Sequence, residues 1–346
     1  MGERTTIVDI ARAAGVSFKT VSRVLNGNPR VAPDLRERVL RAVADLDYRP
    51  NLAARSLAGA RYYALGMLLS SESVANANSE GWYLPPFVMD LQARALVACQ
   101  EVNHRFHVEI VDTRSPSLEA HLSAQRLHVD GVILVPPLAD DVAVLAALEA
   151  NALPYVRISP GVELDRSPAV TSAEYEGALA MAEHLLSLGH RRIGFIHGPP
   201  NHLAAARRYV AFQDALARYP DAQELTAPGD FTVAGGSAAA AMLLGAENPP
   251  TAIFAANDDM AAGVIAWAGS RGIRVPADLS VAGFDDFPFA RLTVPPLTTV
   301  HQPITEIVQA AIGMLIEGVN ADEGPPQLLE MPCRVIERGS TAPPAT

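Results

Sequence analysis

Apolar positions in the first sixty residues recur at helical spacing. Ile7, Ile10, Ala11 and Ala14 make one buried face, and Val21, Val24 and Leu25 make a second. Thr6 followed by Asp9 is a start of capping-box type, with an acid near the first-turn amides. Gly15 permits a tight turn between the two helices, and Ser17 can cap the second. Pro33 suits a first-turn position, and Leu35, Val39, Val43 and Leu46 continue a third stripe. Pro50 ends that helix and can open a fourth of about two turns, stopped at Gly59 and too short to be stable alone.

Beyond Gly59 the period changes. Short apolar runs of buried-strand type (Ala64–Leu69, His107–Val111, Gly131–Val135, Tyr155–Ile158) alternate with helical stretches (Phe87–His104, Leu118–Leu127, Val142–Ala150). A second series starts near Val170. It predicts helices over Tyr175–Leu188, Leu203–Ala217, Ala234–Leu244 and Met260–Ser270, and strands over Arg192–Ile196, Thr251–Ala255 and Leu279–Phe284. The predicted fold class is therefore an all-α helix-turn-helix headpiece and hinge helix, then two doubly wound α/β lobes with parallel sheets. Ligands of such sheets bind beyond the carboxyl ends of the strands, so two facing lobes enclose one cleft.

On the second helix, Phe18, Lys19, Ser22 and Arg23 fall opposite the apolar face. That row has the donor chemistry that reads base edges and phosphates. The plain alternative is two amphipathic helices with a charged outer face. In the short fourth helix, Leu57 is an apolar wedge of the kind that enters a minor groove, the alternative being a linker helix.

Charge separates the two parts. The chain of 346 residues carries −11 overall, yet residues 1–61 hold 11 Lys+Arg against 6 Asp+Glu, and the remainder is −16. A basic cap on an acidic body suits a DNA-binding module joined to a sensing or oligomerising domain. Cys99 and Cys333 give neither a metal cluster nor a disulfide framework, and both are expected to be buried. No signal peptide pattern and no apolar run of membrane length occurs, so a cytoplasmic protein is expected, with no membrane partner and no cofactor.

These residues carry a resemblance. Ala14–Ser17, Thr20–Asn26, Tyr48–Asn51 and Ala53–Leu57 resemble the headpiece and hinge of the lactose-repressor/galactose-repressor (LacI/GalR) family of transcription factors. Gly189–Ile196, Pro250–Ala261, Val281–Asp286 and Pro295–Val300 extend the likeness through the body, over residues 5 to about 340. The resemblance implies a headpiece over 1–49 and a hinge over 50–61. It implies a DNA-proximal lobe from 62–168 and 299–326, a distal lobe from 169–298 and 327–346, and a chain that crosses between lobes three times. It also implies that Thr6, Ser17, Phe18, Lys19, Thr20, Ser22, Arg23, Asn26, Asn51, Ala54 and Leu57 face a palindromic operator in a homodimer. Two departures stand out: Asp47 where the family usually has glycine, and Ala32 where a capping Ser or Thr is common.

Effector recognition calls for a rigid donor fork, a paired acceptor and an apolar face. Arg208, Asp258 and Phe231 match family effector positions, and Asn257 and Arg157 join the expected set. Each has a structural alternative: Arg208 as a solvated helix arginine, Asp258 as a helix cap, Phe231 as core, Arg157 as a lobe–lobe salt bridge. Where the family usually places an acidic pair after the Val170 strand, this chain has Thr171-Ser172-Ala173-Glu174. Its Ser70–Pro86 segment, with Trp82 and Tyr83, is long. The resemblance implies a repressor of carbohydrate-utilisation genes released by a sugar. The alternatives are a nucleobase or phosphorylated effector, or a free sugar-binding protein. Asp258-Asp259 and Asp285-Asp286 do not suffice for paired-acid chemistry, and no phosphate loop or metal spacing occurs, so no enzyme is expected.

Overall fold

The computed structural model describes residues 5–25, 30–46, 48, 61–75, 84–200, 202–318 and 327–345. Two units divide at Tyr63/Ala64. The expected hinge helix with Asn51, Ala54 and Leu57, and also Asn26, Asp47, Trp82 and Tyr83, lie outside the described residues.

The first unit packs α1 (Ile7–Ala14), α2 (Phe18–Leu25) and α3 (Pro33–Asp45) around Ile10, Ala14, Val21, Val24, Val39 and Ala42. The capping box forms: Thr6 N donates to Asp9 Oδ2 at 2.9 Å, and Thr6 Oγ1 accepts from Asp9 N at 3.4 Å. Those bonds hold the Asp9 carboxyl below its ordinary pKa. Gly15 closes α1 with φ +61°, and Arg38 Nη2 donates to Ala14 O at 2.6 Å and to Gly15 O at 3.1 Å. A Cβ at Gly15 would lie 2.7 Å from that nitrogen, so conformation and space both require glycine here. Ser17 Oγ accepts from Thr20 N at 3.1 Å, the expected cap of α2. Ala32 makes no side-chain cap on α3, as the missing hydroxyl predicts. Leu46, expected in the stripe, is exposed.

The second unit runs β1 (Ala64–Ser70), α4 (Ser71–Ala75), α5 (Pro86–Glu101), β2 (Arg105–Val111), α6 (Leu118–His121), α7 (Ala124–Leu127), β3 (Gly131–Leu134), α8 (Val142–Ala150), β4 (Tyr155–Ile158) and β5 (Ala169–Ser172). It continues α9 (Glu174–Ser187), β6 (Arg192–Ile196), α10 (Leu203–Leu216), β7 (Gln223–Ala227), α11 (Val233–Leu244), β8 (Ala252–Ala255), α12 (Asp258–Ser270) and β9 (Ser280–Ala282). Then follow β10 (Thr299–His301), α13 (Ile304–Gly318), β11 (Leu328–Met331) and β12 (Arg334–Ile336). One all-parallel sheet has the order β11-β5-β4-β3-β1-β2, and a second has β7-β6-β8-β9. The inner strands β1, β3, β4, β5, β6 and β8 are buried nearly throughout, which explains their continuous apolar runs, whereas the edge strands β2, β7 and β11 are largely exposed.

Three expected boundaries shift. β10 packs with the second lobe, where Asp285 N donates to Val300 O at 2.8 Å, so that crossing lies after His301 and not at 298/299. β5 registers with β4 (Arg157 opposite Ala169) and β11 with β5 (Leu328 opposite Ala169), so both belong to the first lobe. The crossing points therefore lie after Ser172 and Met331, not at 168/169 and 326/327. The single helix expected over Leu118–Leu127 is two short helices, because Ser123 caps a new start by accepting from Arg126 N. β7 escaped the sequence reading because its alternation is mostly polar. Cys333 lies between β11 and β12, half-buried rather than in a strand, while Cys99 is buried.

Three segments join the lobes: β5 into α9, β10 into α13, and β11 into β12. They are bonded to one another. The Ser172 hydroxyl lies 2.7 Å from Gln302 Oε1, and Ala173 N donates to Met331 O at 2.8 Å. β10 and β12 pair antiparallel beside the second lobe.

Candidate functional site

On α2, Ser17, Phe18, Lys19 and Arg23 are exposed, with Phe18 at 56%. Thr20 and Ser22 are half-buried beside them, and Ser17 Oγ lies 2.9 Å from Thr20 Oγ1. An aromatic ring, an ammonium, a guanidinium and hydroxyls thus line one helix face. Thr6 is exposed at the start of α1.

In the second unit, a polar network fills the space where the carboxyl ends of β5, β8 and β9 converge. Arg208 on α10 is buried. Its Nε donates to Glu174 Oε2, its Nη1 donates to Ala256 O and lies 3.7 Å from Asp285 Oδ1, and its guanidinium stacks 3.7 Å over the Phe284 ring. Burial alone would lower its pKa; Glu174 and Asp285 override that and hold it above the ordinary value. Glu174 Oε1 lies 2.8 Å from the Ser172 hydroxyl, and Gln302 Nε2 donates to Asp285 Oδ1 at 2.5 Å. The Arg208 hydrogen bonds use Nε and Nη1; among the described residues Nη2 makes none.

Asn257 and Phe231 stand beside this network. Asn257 Oδ1 accepts from Met260 N at 3.0 Å, capping α12, and its Nδ2 donates to Phe231 O at 3.2 Å. Phe231 holds φ +65°, a conformation that a non-glycine residue adopts only when its surroundings enforce it. The enforcers are that Asn257 bond and the Asp230 carboxylate, which accepts from Thr232 N at 2.9 Å. Asp258 is fully buried and committed: Thr299 Oγ1 donates to its Oδ1, and Phe287 N donates to Oδ2 at 3.1 Å. Burial, then the neighbouring Asp285, raises its pKa well above the ordinary carboxylate value. Asp285 is pushed up to about 8 by burial and Glu174 against the pull of Arg208.

Arg157, expected at the cleft, is elsewhere. It is fully buried in the first lobe, where Nε donates to Ser167 Oγ at 2.9 Å and Nη1 to Ala139 O at 3.3 Å and Val162 O at 3.0 Å. Nη2 donates to Glu163 O, and the nearest carboxylate, Asp140 at 3.8 Å, is in the same lobe. Its donors tie loops of one lobe together, so it forms no lobe–lobe bridge. The site thus gathers Arg208, Asn257 and Phe231, sets Asp258 behind them, and excludes Arg157. Glu174, Asp285, Gln302 and Ser172 were not singled out from sequence as effector contacts. The departure at Thr171–Glu174 was the one signal that pointed toward them.

The lobes touch at the rim. A Cβ on Gly161, in the β4–β5 loop, would lie 2.0 Å from Leu203 Cδ1 at the start of α10. A cavity of about 350 Å³ opens between them, bordered by Pro160, Thr171, Glu174, Tyr175, Arg207 and Glu330. Among the described residues no group of His, Cys, Asp and Glu is placed to hold a metal, and no helix is long and apolar enough to cross a membrane.

A helix-turn-helix unit and a two-lobed unit in one chain, the latter with a polar network at the interlobe strand ends, are the construction of a ligand-responsive DNA-binding protein. Family models agree: residues 6–51 match "Bacterial regulatory proteins, lacI family", and residues 182–341 match a periplasmic binding protein-like domain. Catabolite control protein A of Priestia megaterium is 32% identical, over 97% of this chain and 99% of its own. Among solved structures, a complex of transcriptional regulator CelR with cellobiose is 30% identical (TM-score 0.70, 97% and 100% covered). The lac repressor dimer bound to operator and the anti-inducer ONPF is 28% identical (TM-score 0.68, 98% and 100% covered). The chain belongs to the LacI family, and it is a transcriptional repressor of that family.

Proposed function

We propose that the protein is a homodimeric repressor whose hold on a palindromic operator is released by a neutral sugar bound between the lobes. The observation that carries the sugar class is the charge balance around Arg208. Its guanidinium is already paired with Glu174 and faces Asp285 at 3.7 Å, with buried Asp258 behind. A phosphorylated ligand would bring negative charge beside Glu174, the acid that already pairs with Arg208. A hydroxyl, by contrast, can accept from Nη2, which makes no hydrogen bond among the described residues, and lie against the Phe231 ring. The cellobiose held by a structural neighbour supports the same class.

In this reading, Arg208, Phe231 and Asn257 contact the effector, with Glu174, Asp285 and Gln302 completing the polar wall. Asp258 and Arg157 support the scaffold. Thr6, Ser17, Phe18, Lys19, Thr20, Ser22 and Arg23 face the operator, and paired reading heads match a two-fold site. Exposed Met89, Leu96 and Val97 on α5 and Val108 and Ile110 on the edge strand β2 offer a second copy an apolar face.

The test is selection of a palindromic oligonucleotide from a random pool, then fluorescence anisotropy with cellobiose, ribose, glucose 6-phosphate and hypoxanthine as added probes. A neutral sugar should weaken operator binding at least tenfold while the phosphate and the nucleobase leave it unchanged. Release by glucose 6-phosphate or hypoxanthine instead would overturn the sugar reading; absence of any palindrome preference would overturn the operator reading.

A further inference from the structure

We infer that the segment after β12, residues 337–345, is a strap on the second lobe that acid releases, with His190 as its latch.

The strap is fastened at successive residues. Arg338 N donates to Thr298 Oγ1 at 2.9 Å, and Gly339 N donates to Pro296 O at 2.9 Å. Val281 N donates to Ser340 O at 2.8 Å, Ser340 Oγ donates to Val281 O at 2.6 Å, and Thr298 N donates to Ser340 Oγ at 2.7 Å. Thr298 stands just before β10 and the strap follows β12, so these bonds hold the second and third crossings to the second lobe. Farther along, the strap rests on one buried side chain. His190 Nε2 lies 2.9 Å from Ala342 O and 3.0 Å from Ser280 Oγ, and Ala342 N donates to the same Ser280 Oγ at 3.0 Å. On the other side of the ring, Thr251 Oγ1 lies 2.8 Å from Nδ1.

Those partners call for a neutral ring. A carbonyl only accepts, so Nε2 carries the proton and Nδ1 accepts from the Thr251 hydroxyl. A second proton on Nδ1 would meet the hydrogen of that hydroxyl and turn it toward Arg192 O, at 3.3 Å. The charged groups nearby do not answer a charge on the ring. His184 on α9 opposes it, and Glu337 on the strap faces His184, at 3.8 Å. Arg191 donates to His190 O and pairs with Asp221, and Arg338 pairs with Asp286. The starts of β8 and β9 bring the Thr251 and Ser280 hydroxyls. Burial lowers the His190 pKa, with the Ala342 bond opposing and His184 adding to the fall. The covered ring thus resists a proton that an uncovered ring takes up at about 6.5. The closed strap is fully favoured above that pH and loses ground as pH falls through it.

The experiment is hydrogen exchange of full-length protein at about pH 7.5 and about pH 5.5, each rate divided by its intrinsic unfolded-peptide rate. The amides of Gly339 and Ala342 on the strap, and of Val281 opposite them, should gain about tenfold at the lower pH, the limit for one proton taken up near 6.5. His190→Gln keeps a neutral donor for Ala342 O and should remove that gain; His184→Gln should retain it. In wild type the ring resonances of His190 should titrate with the same midpoint as strap opening, a readout that stands even where a variant does not fold. Equal corrected exchange at both pH values, a gain that survives in His190→Gln, its loss in His184→Gln, or a ring midpoint apart from that of opening each overturns the inference.

Discussion

Arg208 and Glu174 are ion-paired where neither reaches solvent: 5% and 3% of their side-chain surface is exposed. Such a pair adds little net stability, yet removing one partner strands the other charge. Arg208→Met is therefore expected to destabilise the second unit by about 3 kcal/mol. Adding Glu174→Leu should return most of that loss without returning the sugar response. Urea unfolding of both variants, followed by operator release assays, checks the two halves of this expectation. Equal stability of Arg208→Met and wild type would show that the pair is not sealed.

The raised carboxyls make stability depend on pH. Asp258 and Asp285 bind protons in the folded chain that an unfolded chain gives up near the ordinary carboxylate range. Their contribution is full at low pH and is lost as pH rises, for Asp285 toward about 8. The histidines oppose this at lower pH: burial lowers the pKa of His184, His190, His197 and His202, so charging them below about 6.5 costs stability. The clean window is thus about pH 6.5 to 8, where stability should fall as pH rises, by up to about 1.4 kcal/mol per pH unit for one proton, and melting temperature with it. Asp285→Asn should flatten the slope in thermal scans across that window.

Gly161 meets Leu203 across the lobe rim with no room for a side chain. Gly161→Leu is expected to wedge the rim open while leaving each lobe folded, because both Gly161 and Leu203 lie outside the two sheets. Small-angle scattering should show a larger radius of gyration that added sugar no longer reduces. A radius equal to wild type would mean that the rim accommodates the bulk.

Ala32 opens α3 without a side-chain cap. Ala32→Ser should stabilise the headpiece by about 1 kcal/mol. Hydrogen exchange of the α3 amides reads this directly, and the amides of the second unit should not change.

The headpiece was legible because its signals are local. Thr6 and Asp9 are three residues apart, as are Ser17 and Thr20, and both pairs bond as their spacing implies. Arg208, Phe231 and Asn257 were legible from family likeness, and their nearness follows from the strand-end rule for α/β sheets. The rest of the wall depends on distant partners. Glu174 reads in sequence as an ordinary first-turn acid; only α10, thirty-four residues on, gives it an arginine. Ser172 and Gln302 are 130 residues apart and meet because the chain returns between the lobes. Arg157 misled because a guanidinium at a strand end looks the same whether it faces a ligand or stitches loop carbonyls. The lobe boundaries slipped because β11 joins the first sheet by pairing with β5, a register that no local pattern encodes.

The three bonded crossings give the chain a mechanical linkage as well as a tether. Ser172 sits on the first crossing and touches both Glu174 and Gln302, and Gln302 sits on the second. Pulling the Glu174 carboxylate off Arg208 therefore tugs on two of the three straps between the halves. On the proposed reading, the arginine that meets the effector and the pivot are one piece of machinery, so a molecule that merely swaps a single acceptor at Arg208 already pushes on the axle.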